Sequence, residues 1–184
     1  MGDYGSRRAG IYQRAKATFL IDMDSHLGTL KKNSKKALAI IKKIPYINIA
    51  TVSQDGMPWN APVFAAYDKD FNFYWGTYRD SQKSKNIRAN NNVFITIYDS
   101  TVGPGQGEGV YIKATSVELE DPKEIELAHR LLQDRHVVPY WKLEQVTGGP
   151  IRLYKAVPEK VWMNDGDEVG GNYIDTRVEV DLLE

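Results

Sequence analysis

The chain has 184 residues, 42% hydrophobic and 26% charged, with 24 Lys and Arg against 24 Asp and Glu and no cysteine. That composition supports one domain with a sizeable core and excludes wholesale disorder, disulfides, thiolate zinc sites, cysteine-ligated iron–sulfur clusters and a cysteine nucleophile. No apolar run approaches the roughly 20 residues of a membrane span, and the start lacks the apolar stretch of a secretory signal, so a cytoplasmic protein without membrane contact is expected.

Met1 to Gly10 carry three glycines and two arginines and read as poorly ordered. Residues 1–43 hold 10 Lys/Arg against 3 Asp/Glu, while residues 118–184 hold 8 against 15. The basic lead segment is read as a solvated helix complementing the acidic tail. No aromatic-rich basic module accompanies it, so no nucleic-acid partner is expected. From Lys31 to Lys43, Ala37, Leu38, Ile40 and Ile41 recur at helical spacing, with lysines on the other face. Pro45 ends that helix, since the residue before a proline avoids the α region.

The period then becomes two. Tyr46 to Val52 reads as a strand, Asp55-Gly56 as a hairpin turn, and Pro58 to Tyr67 as a second strand, in which Pro58 and Pro62 are awkward for a central position. Phe71 to Thr77 is a third, aromatic strand. Asp80 or Ser81 opens a short helix to Ala89, and Asn90-Asn91-Asn92 stops it. Val93 to Tyr98 and Val110 to Leu119 are the next strands, joined by the glycine-rich loop 103–109. Asp121-Pro122 opens a helix to about Arg135, with Glu124 placed as its capping partner. Ile151 to Met163 is a sixth strand. Such an order, without βαβ alternation, predicts a closed or partly open antiparallel barrel with peripheral helices.

Few segments carry candidate chemistry. The loop 103–109 lacks the Lys-Ser/Thr ending of a phosphate-binding loop and precedes a strand, so it reads as a hairpin connection. His129 and His136, seven apart on one predicted helix, stand about 10.5 Å apart along its axis, and with His26 elsewhere no metal site is expected. The segment Thr77 to Ile87 is different. There a strand gives way to a helix N-terminus with unpaired N–H groups, the hydroxyls of Thr77 and Ser81, and the charge of Lys83. It can seat a phosphate, or it can be an ordinary capped helix with exposed lysines.

The order of these segments resembles the pyridoxamine phosphate oxidase-like, FMN-binding split-barrel superfamily. The resemblance covers roughly Ile44 to Leu119. It runs through Tyr46-Ile47-Asn48-Ile49-Ala50-Thr51-Val52, the Asp55-Gly56 turn, Pro58-Trp59-Asn60-Ala61-Pro62-Val63-Phe64 and Phe73-Tyr74-Trp75-Gly76-Thr77. Its most specific piece is Ser81-x-Lys83-x-x-Asn86-Ile87, followed by Asn90-Asn91-Asn92-Val93. It implies a six-stranded antiparallel split barrel over 31–184, with residues 1–30 as a poorly ordered or helical extension. It implies a homodimer with FMN at the interface. Thr77, Ser81 and Lys83, with Gln82 beside them, match positions that hold the FMN phosphate. Asn60, Pro62, Val63 and Phe64 match the strand passing the isoalloxazine and ribityl chain. Trp162 resembles an aromatic contributed by the second subunit. The oxidase proper tends to carry an arginine at the position of Asn60 and a lysine at that of Ala65. Their loss points away from the vitamin B6 oxidase itself, toward an FMN-dependent oxidoreductase acting on an unidentified small molecule. A non-catalytic flavin store or sensor, and an F420-dependent reductase, are the alternatives. Haem would want a histidine within 44–119, where none stands. No acid or base stands out; Tyr111 and Arg79 come nearest.

Overall fold

The computed structural model describes residues 28–136 and 141–183. The expected N-terminal extension, His26 included, lies outside them up to residue 27. Within the described residues helix α1 covers 28–43, so it is already formed before Lys31, where the lysine-rich pattern starts. It ends before Pro45, and its Ala37 and Ile41 are buried.

Among the described residues seven strands follow: β1 (Tyr46–Val52), β2 (Pro58–Tyr67), β3 (Phe73–Tyr78), β4 (Asn92–Tyr98), β5 (Gly109–Glu118), β6 (Ile151–Val169) and β7 (Asn172–Glu179). Three further helices are α2 (Gln82–Ala89), α3 (Pro122–Arg135) and α4 (Leu143–Thr147). The strands lie in the order β3-β2-β1-β4-β5-β6-β7, and β3 also pairs with β6. That pairing, from Phe73 opposite Ala156 to Tyr78 opposite Ile151, closes β1 to β6 into a six-stranded antiparallel barrel.

Alternation sorts the side chains. Ile47 and Ile49 of β1, Ile95 and Ile97 of β4, and Val110 and Ile112 of β5 point inward with Trp75, each at most 2% exposed, and α1 packs on this interior. Burying such side chains is worth about 1.5–3 kcal/mol each. A second cluster lies outside the barrel, where Phe64, Ala66, Tyr74 and Leu153 pack beneath Ile125, Ala128 and Leu132 of α3 and Val146 of α4.

The prolines of β2 have a positional explanation. Pro58 to Phe64 pair with β1, but only Ala65 to Tyr67 pair with β3. Both prolines fall where β2 has a single neighbour, so a missing N–H breaks no second ladder. The same splaying of β2 from β3 makes the barrel split.

Several expectations need correction. The aromatics Phe71, Phe73 and Trp75, which in an aromatic strand are expected to exceed what one small core hides and to call for a partner, are packed within this chain. Phe73 and Trp75 are inside the barrel, Trp75 stacked on Tyr154 at 5.8 Å, and Phe71 stacks on Tyr67 at 5.5 Å. β3 is covered on both faces, inside by the barrel and outside by α3 and α4. Among the described residues the exposed aromatics are instead Tyr46, Trp59, Tyr78, Phe94, Tyr98 and Tyr173. β6 runs six residues beyond Met163 and pairs with β7, which the acidic, glycine-rich stretch had concealed. Glu124 does not cap α3: Asp121 accepts from the Lys123 N–H at 2.7 Å, while Glu124 pairs with Lys155 at 3.0 Å. His136 is the C-cap residue of α3 rather than part of the helix.

Candidate functional site

The segment from Thr77 to Ile87 is assembled where β3 ends and α2 begins. Ser81, not Asp80, is the N-cap of α2: its backbone is extended, and its Oγ accepts from the Ser84 N–H at 3.4 Å. Asp80 is exposed beside it. Thr77 Oγ1 lies 3.5 Å from Ser81 Oγ, so the two hydroxyls expected at the seat stand side by side. No acidic residue lies in the first turn of α2.

Lys83 is half-buried in that turn. Burial pulls its ammonium below the usual lysine range, and among the described residues no carboxylate counters it. A half-desolvated cation beside a helix N-terminus is unfavourable in the chain alone, since two positive ends meet. An anion there would relieve both.

Gln82 is committed elsewhere. Its Nε2 donates to Asn86 Oδ1 at 2.8 Å, and Asn86 Nδ2 donates to Thr51 Oγ1 at 3.0 Å. Thr51 in turn donates to the Trp59 carbonyl at 3.3 Å. This chain ties α2 to β1 and to the start of β2, the strand expected to pass the flavin. On β2, Asn60 and Pro62 are exposed, whereas Val63 points into the barrel and Phe64 lies against His136, with ring centroids 4.8 Å apart. Val63 and Phe64 can therefore offer only backbone to a ligand outside the barrel.

Trp162 stands apart. Thr77 pairs with Arg152, and Trp162 lies ten residues further along β6, opposite Tyr111, or about 33 Å of extended strand. It is half-buried, with its ring 6.4 Å from that of Phe94. The structure does not bring Trp162 and the Thr77–Lys83 segment together within one chain. Tyr111 lies under the Arg177 guanidinium at 3.9 Å, and Arg79 is exposed, its N–H bonded to the Pro150 carbonyl at 2.9 Å. Tyr111 is thus the cross-strand neighbour of Trp162 and not of the Thr77–Lys83 segment, while Arg79 lies in the turn between Thr77 and Ser81.

The burial of two polar residues of α2 escaped the sequence reading, although Asn86 belongs to its most specific motif. Ser84 is 0% and Asn86 2% exposed. Beneath α2, Glu118 joins Arg88 at 3.1 Å, Arg152 at 3.2 Å and the Tyr154 hydroxyl at 2.9 Å. Burial, with Glu118 beside it, raises the Tyr154 phenol to about 12. The only available signal was polar residues on the face of α2 carrying Ile87. A cavity of about 680 Å³ lies elsewhere, between α1 and the C-terminal residues, lined by Leu30, Phe71, Val161 and Leu182 among others. Among the described residues no cluster of His, Asp or Glu could hold a metal ion, and no helix is long and apolar enough to cross a membrane.

Comparison with known proteins adds the family. No curated protein matches the chain. Among solved structures it is similar to a candidate 5-nitroimidazole antibiotic resistance protein of Bacteroides thetaiotaomicron, at 16% identity and a TM-score of 0.61, over 70% of this chain and 81% of that one. It is also similar to HutZ, the heme storage protein of Vibrio cholerae, at 15% identity and a TM-score of 0.59, over 67% and 88%. A third is a candidate pyridoxamine 5'-phosphate oxidase of Listeria innocua, at 19% identity and a TM-score of 0.54, over 70% and 94%. At these identities the likeness is one of fold. The family model for pyridoxamine 5'-phosphate oxidase matches residues 34–165, from within α1 into β6. With six strands closed as described and β2 splayed from β3, this chain belongs to the pyridoxamine 5'-phosphate oxidase family of split barrels.

Proposed function

We propose that the protein binds FMN as a homodimer and acts as an FMN-dependent oxidoreductase on a small molecule. The observation that carries this reading is Lys83, a half-buried cation without a carboxylate partner among the described residues, set beside two adjacent hydroxyls at the start of α2. A phosphate monoester supplies negative charge for Lys83 and the helix end, and acceptor oxygens to which the Thr77 and Ser81 hydroxyls can turn. The single-neighbour stretch of β2, with Asn60 and Pro62 exposed, supports a flavin ring laid along it. The position of Trp162 supports the dimer, since it can approach the seat only from a second copy.

In this reading the flavin supplies the redox chemistry and the chain binds and orients it. Lys83, Ser81 and Thr77 hold the phosphate. Asn60 and Ala65 stand where the B6 oxidase tends to carry cations, which favours a substrate without a phosphate of its own. Family relatives include a heme storage protein, but His129 Nε2 is bound to the Trp141 carbonyl at 2.6 Å and His136 packs on Phe64, which favours flavin here. The test is the absorption spectrum of the purified protein, mass spectrometry of the released cofactor, and bleaching of bound flavin by NADH or NADPH. A protein that neither retains nor takes up FMN would end this reading. Bound flavin that no reductant bleaches would leave a flavin carrier rather than an enzyme.

A further inference from the structure

The hydroxyls at the start of α2 form a row with a direction. The buried Ser84 hydroxyl lies 2.9 Å from the Tyr78 carbonyl, which can only accept, and also faces the Tyr154 hydroxyl, whose own proton goes to Glu118, so the single Ser84 proton is spent on these inner acceptors. Ser81 Oγ lies 2.9 Å from Ser84 Oγ. With the Ser84 proton committed, Ser81 must be the donor in that pair. Thr77 Oγ1, at 3.5 Å from Ser81 Oγ, is then the donor to Ser81 in turn. Three hydroxyls thus run Thr77 to Ser81 to Ser84 and end on a backbone carbonyl. Every proton points inward, and lone pairs are left facing the seat.

A phosphate needs the reverse. To donate to it, Ser81 must turn its proton away from Ser84 and give up a bond of ordinary length. We propose that Ser84 is a positioning residue that sets phosphate affinity, holding the Ser81 proton inward and so weakening the seat relative to what the same donors could give. The proposal rests on the FMN-phosphate reading above. It accounts for a fully buried serine in a position where alanine would suit a helix better. Removing that hydroxyl need not orphan the Tyr78 carbonyl, which also accepts from the Ser81 N–H at 3.1 Å.

The experiment is a fluorescence titration with FMN and with riboflavin, on wild type and the variants Ser84→Ala, Ser81→Ala, the double variant and Lys83→Ala, with melting of each apo protein. Ser84→Ala should bind FMN about 2- to 10-fold more tightly, the span of one hydrogen bond regained. Riboflavin, which lacks the phosphate, should bind unchanged. In the Ser81→Ala background the Ser84→Ala gain should vanish. Ser84→Cys, whose sulfur accepts only weakly, should shift FMN affinity the same way by less, and it serves if the alanine variant folds poorly. Equal or weaker FMN binding by folded Ser84 variants overturns the inference. So does an equal gain for riboflavin, or a gain that survives in the double variant. If Lys83→Ala leaves FMN binding unmoved, the seat itself fails and this inference falls with it. If Lys83→Ala weakens binding while the Ser84 variants do nothing, only the inference falls.

Discussion

Asn86 of α2 donates from Nδ2 to Thr51 Oγ1 of β1 at 3.0 Å, and both side chains are buried. That bond sets where α2 lies on the barrel. Replacing Asn86 with Leu removes a donor that Thr51 relies on and an acceptor that Gln82 uses. The expected cost is about 1–3 kcal/mol for buried polar groups left without partners, read as a lower denaturant midpoint at unchanged slope. A loss within about 0.5 kcal/mol would mean that α2 is held by packing alone.

Lys83→Ala should weaken FMN binding by about 10- to 150-fold, the span of a charge-assisted contact, while the apo fold survives. Flavin titration and apo melting, run together, check both halves. Equal affinity would return α2 to an ordinary capped helix.

The same lysine should cost the empty protein some stability. Burial lowers its folded pKa below the unfolded value, so the unfolded chain binds this proton better. The cost is therefore present at neutral pH and is recovered as pH rises through the folded value toward the unfolded one. Lys83→Met should melt higher than wild type at pH 7 as apo protein, with the gap narrowing in alkali. A lower melting temperature at pH 7 would contradict this sign.

Tyr154 has the opposite linkage. Burial holds its phenol at about 12 against an ordinary 10, so its contribution is whole below pH 10 and is lost as pH rises from 10 through 12. Tyr154→Phe should flatten the alkaline limb of stability between those values. A limb of unchanged steepness would assign the loss to other groups, such as Tyr74, which is raised further by burial and Asp68.

Dimerisation should depend on the outer face where Phe94 meets Trp162. Phe94→Lys places like charges across any twofold contact there and should give a monomer by light scattering at micromolar concentration, with loss of flavin. A wild-type monomer under those conditions would remove the dimer from the proposal.

Much of the barrel could be read from period-two runs, because Ile47, Ile49, Ile95 and Ile97 alternate with polar or exposed neighbours. The Asp-Gly turn, the Pro45 stop and the Asn90 stop were legible through local backbone chemistry. The end of β6 was not, since Asp165 to Val169 have a loop's composition and only the ladder with β7 makes them a strand. The burial of Ser84 and Asn86 was hidden for another reason: polar residues on a short helix are ordinarily assigned to the solvent side. Gly76 was read as part of a motif, but its role is steric, for an added Cβ would stand 1.9 Å from the Trp141 ring, a neighbour that sequence spacing does not reveal. The seat residues were found through a family pattern, while the direction of their protons needed the coordinates.

β6 both closes the barrel and comes last among its six strands. During synthesis, β1 to β5 emerge with β3 and β5 as open edges, because their common partner is still being made. At about 5–20 residues per second, the chain through α3, α4 and β6 takes a few seconds to appear. For that interval the nascent protein carries two unpaired edges, the hazard that invites association between copies. The packing of α3, which follows β5 directly, over Tyr74 hides one face of β3 but leaves its hydrogen-bonding edge open until β6 arrives.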